Sequence, residues 1–364
     1  MSSYLWIDQA STVTQATEIR QSAAVALDTE FVRTDTFYPL LGLVQIATPS
    51  SILLMDALQP SCLDMVADTL LSVDQQPVWV LHSCAEDLEV VFNQWGCLPR
   101  QVVDTQLAAA FLGRARQMSL QNLLATEMNV HLTKDETRSN WCQRPLSNAQ
   151  LTYAAEDVRY LLPLWDKLSA ELMRCNRMEW FREDCEKLIA KASRQVSFDQ
   201  VYLQFHDAWQ LKEKPLAVLQ ALARWREEVA RKHNKPRGFI IKDPVLYAVA
   251  ERLPKNATAL SAIPNIAPAT IRRYADEILH IVNETAAVPG LAKPVRPLGN
   301  HQRDLMKRIK SWLEVQAEHL QMPVELLAGR KHLEHLIRQK DDAEAIAHEE
   351  WRGWRQEVLE PGII

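Results

Sequence analysis

Two acids stand one residue apart in an otherwise apolar stretch: Asp28 and Glu30 in "VALDTEFVR" (25–33). Strand side chains alternate, so in a β-strand both carboxylates face one way with Ala24 and Ala26, while Leu27, Thr29 and Phe31 face the other. Two carboxylates on one face of a buried strand repel each other and lose hydration. They need a compensating cation or an outlet to solvent. Two more acids offer the same chemistry. Asp87 falls in the first turn of a helix expected from "DLEVVFNQWG", where the helix dipole by itself also favours a negative charge. Asp157 follows Tyr153 by four residues in "LTYAAEDVRYLLPLW", so the two share a helix face and lie within mutual reach. A structural Tyr–Asp hydrogen bond is the competing reading there.

These side chains need a scaffold, and its elements have sequence signals. "AAVALDTEFV", "LGLVQIAT" and "SILLMDA" read as three strands separated by turns. "PVWVLHS" and "RQVVDT" read as two more, each followed by a helix, the first of which ends at Gly96. Three successive strands and then strand–helix alternation predict a mixed sheet with helices packed on it. Ser83 and Glu86 have capping-box spacing. Asp104 is expected to cap the helix from Thr105, and Asp56 to sit in a turn. One long helical pattern runs from about Ser147 to Arg177. Past residue 195 the strand signals vanish. Leu216, Leu219, Leu222, Trp225 and Val229 recur at helical spacing, and 208–282 reads as an all-helical unit. The Pro/Gly-rich "AAVPGLAKPVRPLG" (286–299) reads as a linker. A second helical unit follows, with Leu305, Ile309, Trp312 and Leu313 on one face.

A chain of 364 residues allows two or three domains. The net charge of −5 is unevenly spread. Residues 1–195 hold 16 Lys+Arg against 24 Asp+Glu, residues 208–282 hold 13 against 7, and residues 296–364 hold 11 against 12. An acidic first part and a basic middle part suggest a site in one and attraction to a polyanion in the other. The six cysteines form no C-x-x-C pair and read as free thiols of a reducing cytoplasm. No apolar run approaches membrane-spanning length, and "MSSYLWIDQAST" does not read as a signal peptide.

Taken together, D-x-E, then D, then Y-x-x-x-D resembles the DEDD superfamily of 3′-to-5′ exonucleases in its tyrosine subgroup. The surrounding text is similar to the ribonuclease D family: "LDTEFVRTDTFYPLLGLVQIAT", "HSCAEDLEVV", "LTYAAEDVRYLLPLW" and "KDETRSNWCQRPLS". In the last of these the family more often has Asp where this chain has Asn140. "LQALARWREEVARKHNKPRGFIIKDPVLYAVAERLP" and "LSAIPNIAPATIRRYADEIL" resemble the HRDC domain, with "PNIAPA" where many such domains have a glycine-containing turn. "MPVELLAGRKHLEHL" and "WRGWRQEVL" are similar to the second HRDC-like domain of the family.

The resemblance implies an α/β ribonuclease H-like exonuclease domain (1–195), an HRDC domain (208–285), a linker (286–299) and a second HRDC-like domain (300–364). It implies that Asp28, Glu30, Asp87 and Asp157 hold two divalent ions, Mg²⁺ or Mn²⁺, and that Tyr153 orients the attacking water. An unperturbed tyrosine pKa of about 10 makes Tyr153 a poor general base at neutral pH. The implied substrate is RNA with a free 3′ end, such as a tRNA precursor, acted on in the cytoplasm by a monomer with no obligate protein partner. A DNA-directed exonuclease and a non-catalytic RNA-binding module are the alternatives. Since the acidic site repels RNA when metal is absent, binding must come from elsewhere. Lys134, Arg138 and Arg144 flank the site in sequence. Arg231, Lys232, Lys235 and Arg237 form the basic run "RKHNKPRG" of the middle domain. Phe31 is a candidate to stack on the terminal base. Solvated loops, and for Phe31 a place in the core, are the competing readings.

Overall fold

The computed structural model describes residues 4–9, 13–72, 74–132, 136, 139–194, 197–341 and 353–363. Its contacts divide the chain into two units. One comprises residues 1–32, 40–194 and 298–364; the other comprises residues 33–39 and 195–297.

The first unit is built on six strands: β1 (Leu5–Ile7), β2 (Ala24–Val32), β3 (Leu40–Ala47), β4 (Ile52–Asp56), β5 (Val78–Leu81) and β6 (Val102–Asp104). Their order is β1-β4-β3-β2-β5-β6. β2, β3 and β4 form an antiparallel meander, while β1 on β4, β5 on β2 and β6 on β5 pair in parallel. The mixed sheet is the one expected from the run of strands. β1 is an addition, because three residues carry no periodic signal.

The strand alternation sorts the sheet into two faces. Val25, Leu27, Val44, Ile46, Trp79 and Leu81 form one core with helices α1 (Val13–Gln21), α2 (Pro60–Val66) and α3 (Ala85–Trp95). Gly96 closes α3 at φ +69°, as expected. Ala26, Leu43, Ala47, Leu54 and Val80 form the other core, beneath α4 (Thr105–Phe111), α5 (Leu120–Met128), α6 (Asn148–Arg159), α7 (Leu161–Arg174) and α8 (Met178–Ala192). The helical pattern of 147–177 is therefore two helices broken at Tyr160, not one. Its start is a capping box between Ser147 and Gln150.

Further along the chain are α9 (Glu213–Lys232), α10 (Arg237–Ile240), α11 (Asp243–Arg252), α12 (Ala257–Ser261) and α13 (Pro268–Glu284), all in the second unit. Leu216, Leu219 and Leu222 of α9 are buried there with Val201, Tyr202, Leu246, Val249 and Ile278. The proline-rich stretch after α13 has no regular structure, but it is tied down: the Tyr202 hydroxyl donates to the Ala292 carbonyl at 2.6 Å, and the Lys293 side chain donates to the Leu211 carbonyl at 2.7 Å.

The last helices are α14 (Asn300–Leu320), α15 (Val324–Leu327), α16 (Arg330–Asp341) and α17 (Trp354–Ile363). Their apolar face closes on the sheet-bearing half of the first unit, since Ile309, Leu313 and Trp354 share a core with Phe111, Leu164 and Phe181. Trp354 stacks on Trp180 with ring centroids 5.1 Å apart. Arg355 and Asp184, both buried, form a two-pronged ion pair at 2.6 Å. Among the described residues no helix is long and apolar enough to cross a membrane.

Candidate active site

Asp28 and Glu30 project from β2 on the face covered by α6, which carries Tyr153 and Asp157. Carboxylate oxygens of Asp28, Glu30 and Asp157 all lie within 4.8 Å of one another. Asp87 reaches the same place from the opposite side of the sheet, at the buried start of α3. It stands outside that group of three but close enough to act electrostatically on Asp28. Thr29 faces Asp87, and its hydroxyl donates to Asp87 Oδ1 at 2.5 Å. One strand therefore supplies two carboxylates to one face and, from the residue between them, the anchor for a third.

The start of α3 is not held as expected. Ser83 has φ +61°, Cys84 is the N-cap residue, and no side chain caps it. Asp104 does this work instead. Its carboxylate accepts from the Ser83 and Cys84 amides at 3.0 Å, and it also caps its own helix by accepting from Gln106 and Leu107. The S-x-x-E spacing was misleading because Asp104, at the end of the next strand, accepts from the amides ahead of the helix instead.

The electrostatics are those of a site with a charge deficit. Burial, with the negative charges of Asp87, Asp157 and Glu30 beside it, holds the Asp28 carboxyl well above the ordinary carboxylate range. Burial pushes Asp87 up to about 6, against the downward pull of the Thr29 hydrogen bond. Hard divalent cations take oxygen ligands, and this donor set is all carboxylate. The residues fit such ions, whose charge would remove the cost that raises Asp28.

Tyr153, half-buried on α6, packs beside the fully buried Trp141, with ring centroids 6.0 Å apart. Arg144 was a candidate for holding phosphate, but its guanidinium is occupied within the protein. It donates to Asp56 at 2.5 Å and to the carbonyls of Gly42, Trp141 and Gln143, and lies over the Trp6 ring. Asp56, expected in a turn, is the buried end of β4 and the partner of this arginine. Phe31 packs partly buried against the core beneath α3. Lys134 and Arg138 lie outside the described residues.

In the second unit the basic run is largely self-engaged. Arg231 and Arg237 both pair with Glu227, which is 1% exposed, and both lie over the Phe37 ring at 4.9 Å. Lys235 pairs with Asp35 at 3.2 Å. Asn234 accepts from the Phe37 and Tyr38 amides at 3.0 Å. Lys232 is exposed and makes no ion pair with a described residue. Two residues escaped sequence reasoning. Thr29 could have been found as the polar centre of D-T-E. Gln45 could have been found as the lone polar residue of the apolar strand "LGLVQIA", where it is fully buried.

Known proteins resemble this chain over nearly its whole length. A family model described as "3'-5' exonuclease" matches residues 4–173, and one described as "HRDC domain" matches residues 216–282. The ribonuclease D of Pseudomonas paraeruginosa is 39% identical over 364 residues, covering 99% of this chain and 96% of that protein. The ribonuclease D of Escherichia coli is 32% identical over 353 residues, covering 94% and 92% respectively. The crystal structure of Escherichia coli RNase D, described as an exoribonuclease involved in structured RNA processing, superposes with a TM-score of 0.89 at 31% identity. It covers 99% of this chain and 97% of its own. On this identity over nearly the full length of both partners, the chain belongs to the ribonuclease D family of 3′-to-5′ exoribonucleases.

Proposed function

We propose that this chain hydrolyses RNA from a free 3′ end in a reaction that needs two divalent ions, Mg²⁺ or Mn²⁺, and releases nucleoside 5′-monophosphates. Its substrates are precursors of tRNA and other structured RNAs in the cytoplasm. The observation that carries the reading is the meeting of Asp28, Glu30 and Asp157 within 4.8 Å, with Asp87 beside them.

Asp28, Glu30, Asp87 and Asp157 would hold the ions, which when bound supply water activation and stabilisation of charge on the leaving 3′-oxygen. The chain's own groups set the geometry. The Thr29 hydroxyl fixes Oδ1 of Asp87. The Tyr153 hydroxyl orients the attacking water, its ring steadied by Trp141. Lys232, exposed in the basic middle unit, contacts the RNA backbone.

A 3′-labelled tRNA precursor and a single-stranded DNA of matched sequence, each with Mg²⁺ or chelator, test the reading. Labelled 5′-mononucleotide should come from the RNA, with Mg²⁺ only. Faster release from the DNA would instead favour a DNA-directed enzyme.

A further inference from the structure

Gln45 is 0% exposed, yet neither its Nε2 nor its Oε1 has a hydrogen-bond partner. A buried amide with both ends unsatisfied is costly, and an apolar side chain of the same size would serve the core better. Its place explains it. Gln45 lies on β3 directly opposite Asp28, and directly opposed residues of an antiparallel pair project to the same face with Cβ atoms roughly 4.5–5.5 Å apart. On its other side the register partner is Leu54, and along its own strand the same-face neighbours are Leu43 and Ala47. None of these three side chains has a polar group to offer.

We propose that Gln45 is a positioning residue of the metal centre: its side-chain amide donates to the Asp28 carboxylate and holds it in ligating orientation. The proposal rests on the metal-dependent reading above. A carboxylate oxygen accepts and an amide NH₂ offers two donors, so Nε2 of Gln45 and the carboxylate opposite it are matched.

Gln45→Leu tests this in the full chain, with Mn²⁺ titration calorimetry, metal-free thermal melting and steady-state kinetics on labelled RNA. The expected result is Mn²⁺ binding weaker by about tenfold or more. The kcat should fall at limiting Mn²⁺, with KM for RNA unchanged and a metal-free melting temperature no lower than the parent's. A purely structural glutamine would leave Mn²⁺ affinity untouched, and that result overturns the proposal. Gln45→Met repeats the measurement with a flexible side chain in case leucine disturbs the packing. Asp157→Ala separates the two readings. If it binds Mn²⁺ as tightly as the parent, the metal-dependent reading fails; if it loses Mn²⁺ while Gln45→Leu does not, only the role of Gln45 fails.

Discussion

At the scale of single residues, the site depends on what lies between the acids as much as on the acids. Thr29 separates Asp28 from Glu30 in sequence and points to the other face of the sheet, where it binds Asp87. Asp87 is 7% exposed and rides on a different element, and its carboxylate is held to β2 by Thr29, whose hydroxyl and backbone both hydrogen-bond to it. Hydrogen bonds to charged groups contribute about 1.5–3 kcal/mol. Thr29→Val should therefore lower kcat at least about tenfold, with KM little changed, while Thr29→Ser retains most of the rate. Equal rates for the valine and serine variants would show that the hydroxyl does not matter. The strand that carries Asp28 and Glu30 and the helix that carries Asp157 were legible in the sequence because their signals are local, and the fold brings these three acids together. Thr29 and Gln45 were not, because each acts across a strand pair or through the sheet, and only register tells which distant residue it meets.

At the scale of elements, β3 and the 141–144 segment place Tyr153. The register between β2 and β3 slips at Glu30/Phe31, where Gly42 is the extra residue on β3. A Cβ on Gly42 would run into the backbone carbonyl of Trp141, so the glycine lets that segment press against the sheet. Arg144 then ties the segment to Gly42 and Asp56. Gly42→Ala should push Trp141 off its seat and disturb Tyr153. The expected result is a loss of stability of roughly 1–3 kcal/mol and a fall in kcat without a matching rise in KM. Lowered stability with kcat intact would show that Trp141 does not steady the tyrosine. Sequence assigned Arg144 to substrate because a basic residue near a phosphate site is electrostatically plausible. The structure gives it partners 88 and 102 residues away, which no local pattern reports.

At the scale of the whole molecule, charge distribution was a poor guide to individual contacts. The middle unit is basic, yet two of its four basic-run residues neutralise the buried Glu227 and a third pairs with Asp35. Reversing Arg231 would set a negative charge beside the buried Glu227 and so confuse unfolding with lost RNA binding. Lys232→Glu is the cleaner probe. It should raise KM for RNA, more so at low salt, and leave the melting temperature and kcat unchanged. An unchanged KM would remove Lys232 from the RNA path. The last helices teach the same lesson. Their apolar face was visible in Leu305, Ile309, Trp312 and Leu313, but its partners, Phe111 and Phe181, lie far away in sequence. The most direct measurement of the account is the release of labelled 5′-mononucleotide from 3′-labelled RNA by the parent and by Asp28→Ala, each across a Mg²⁺ titration with a chelator control. Release that rises with Mg²⁺ in the parent and is absent in the variant is the predicted result; equal release with chelator, or from the variant, would contradict it.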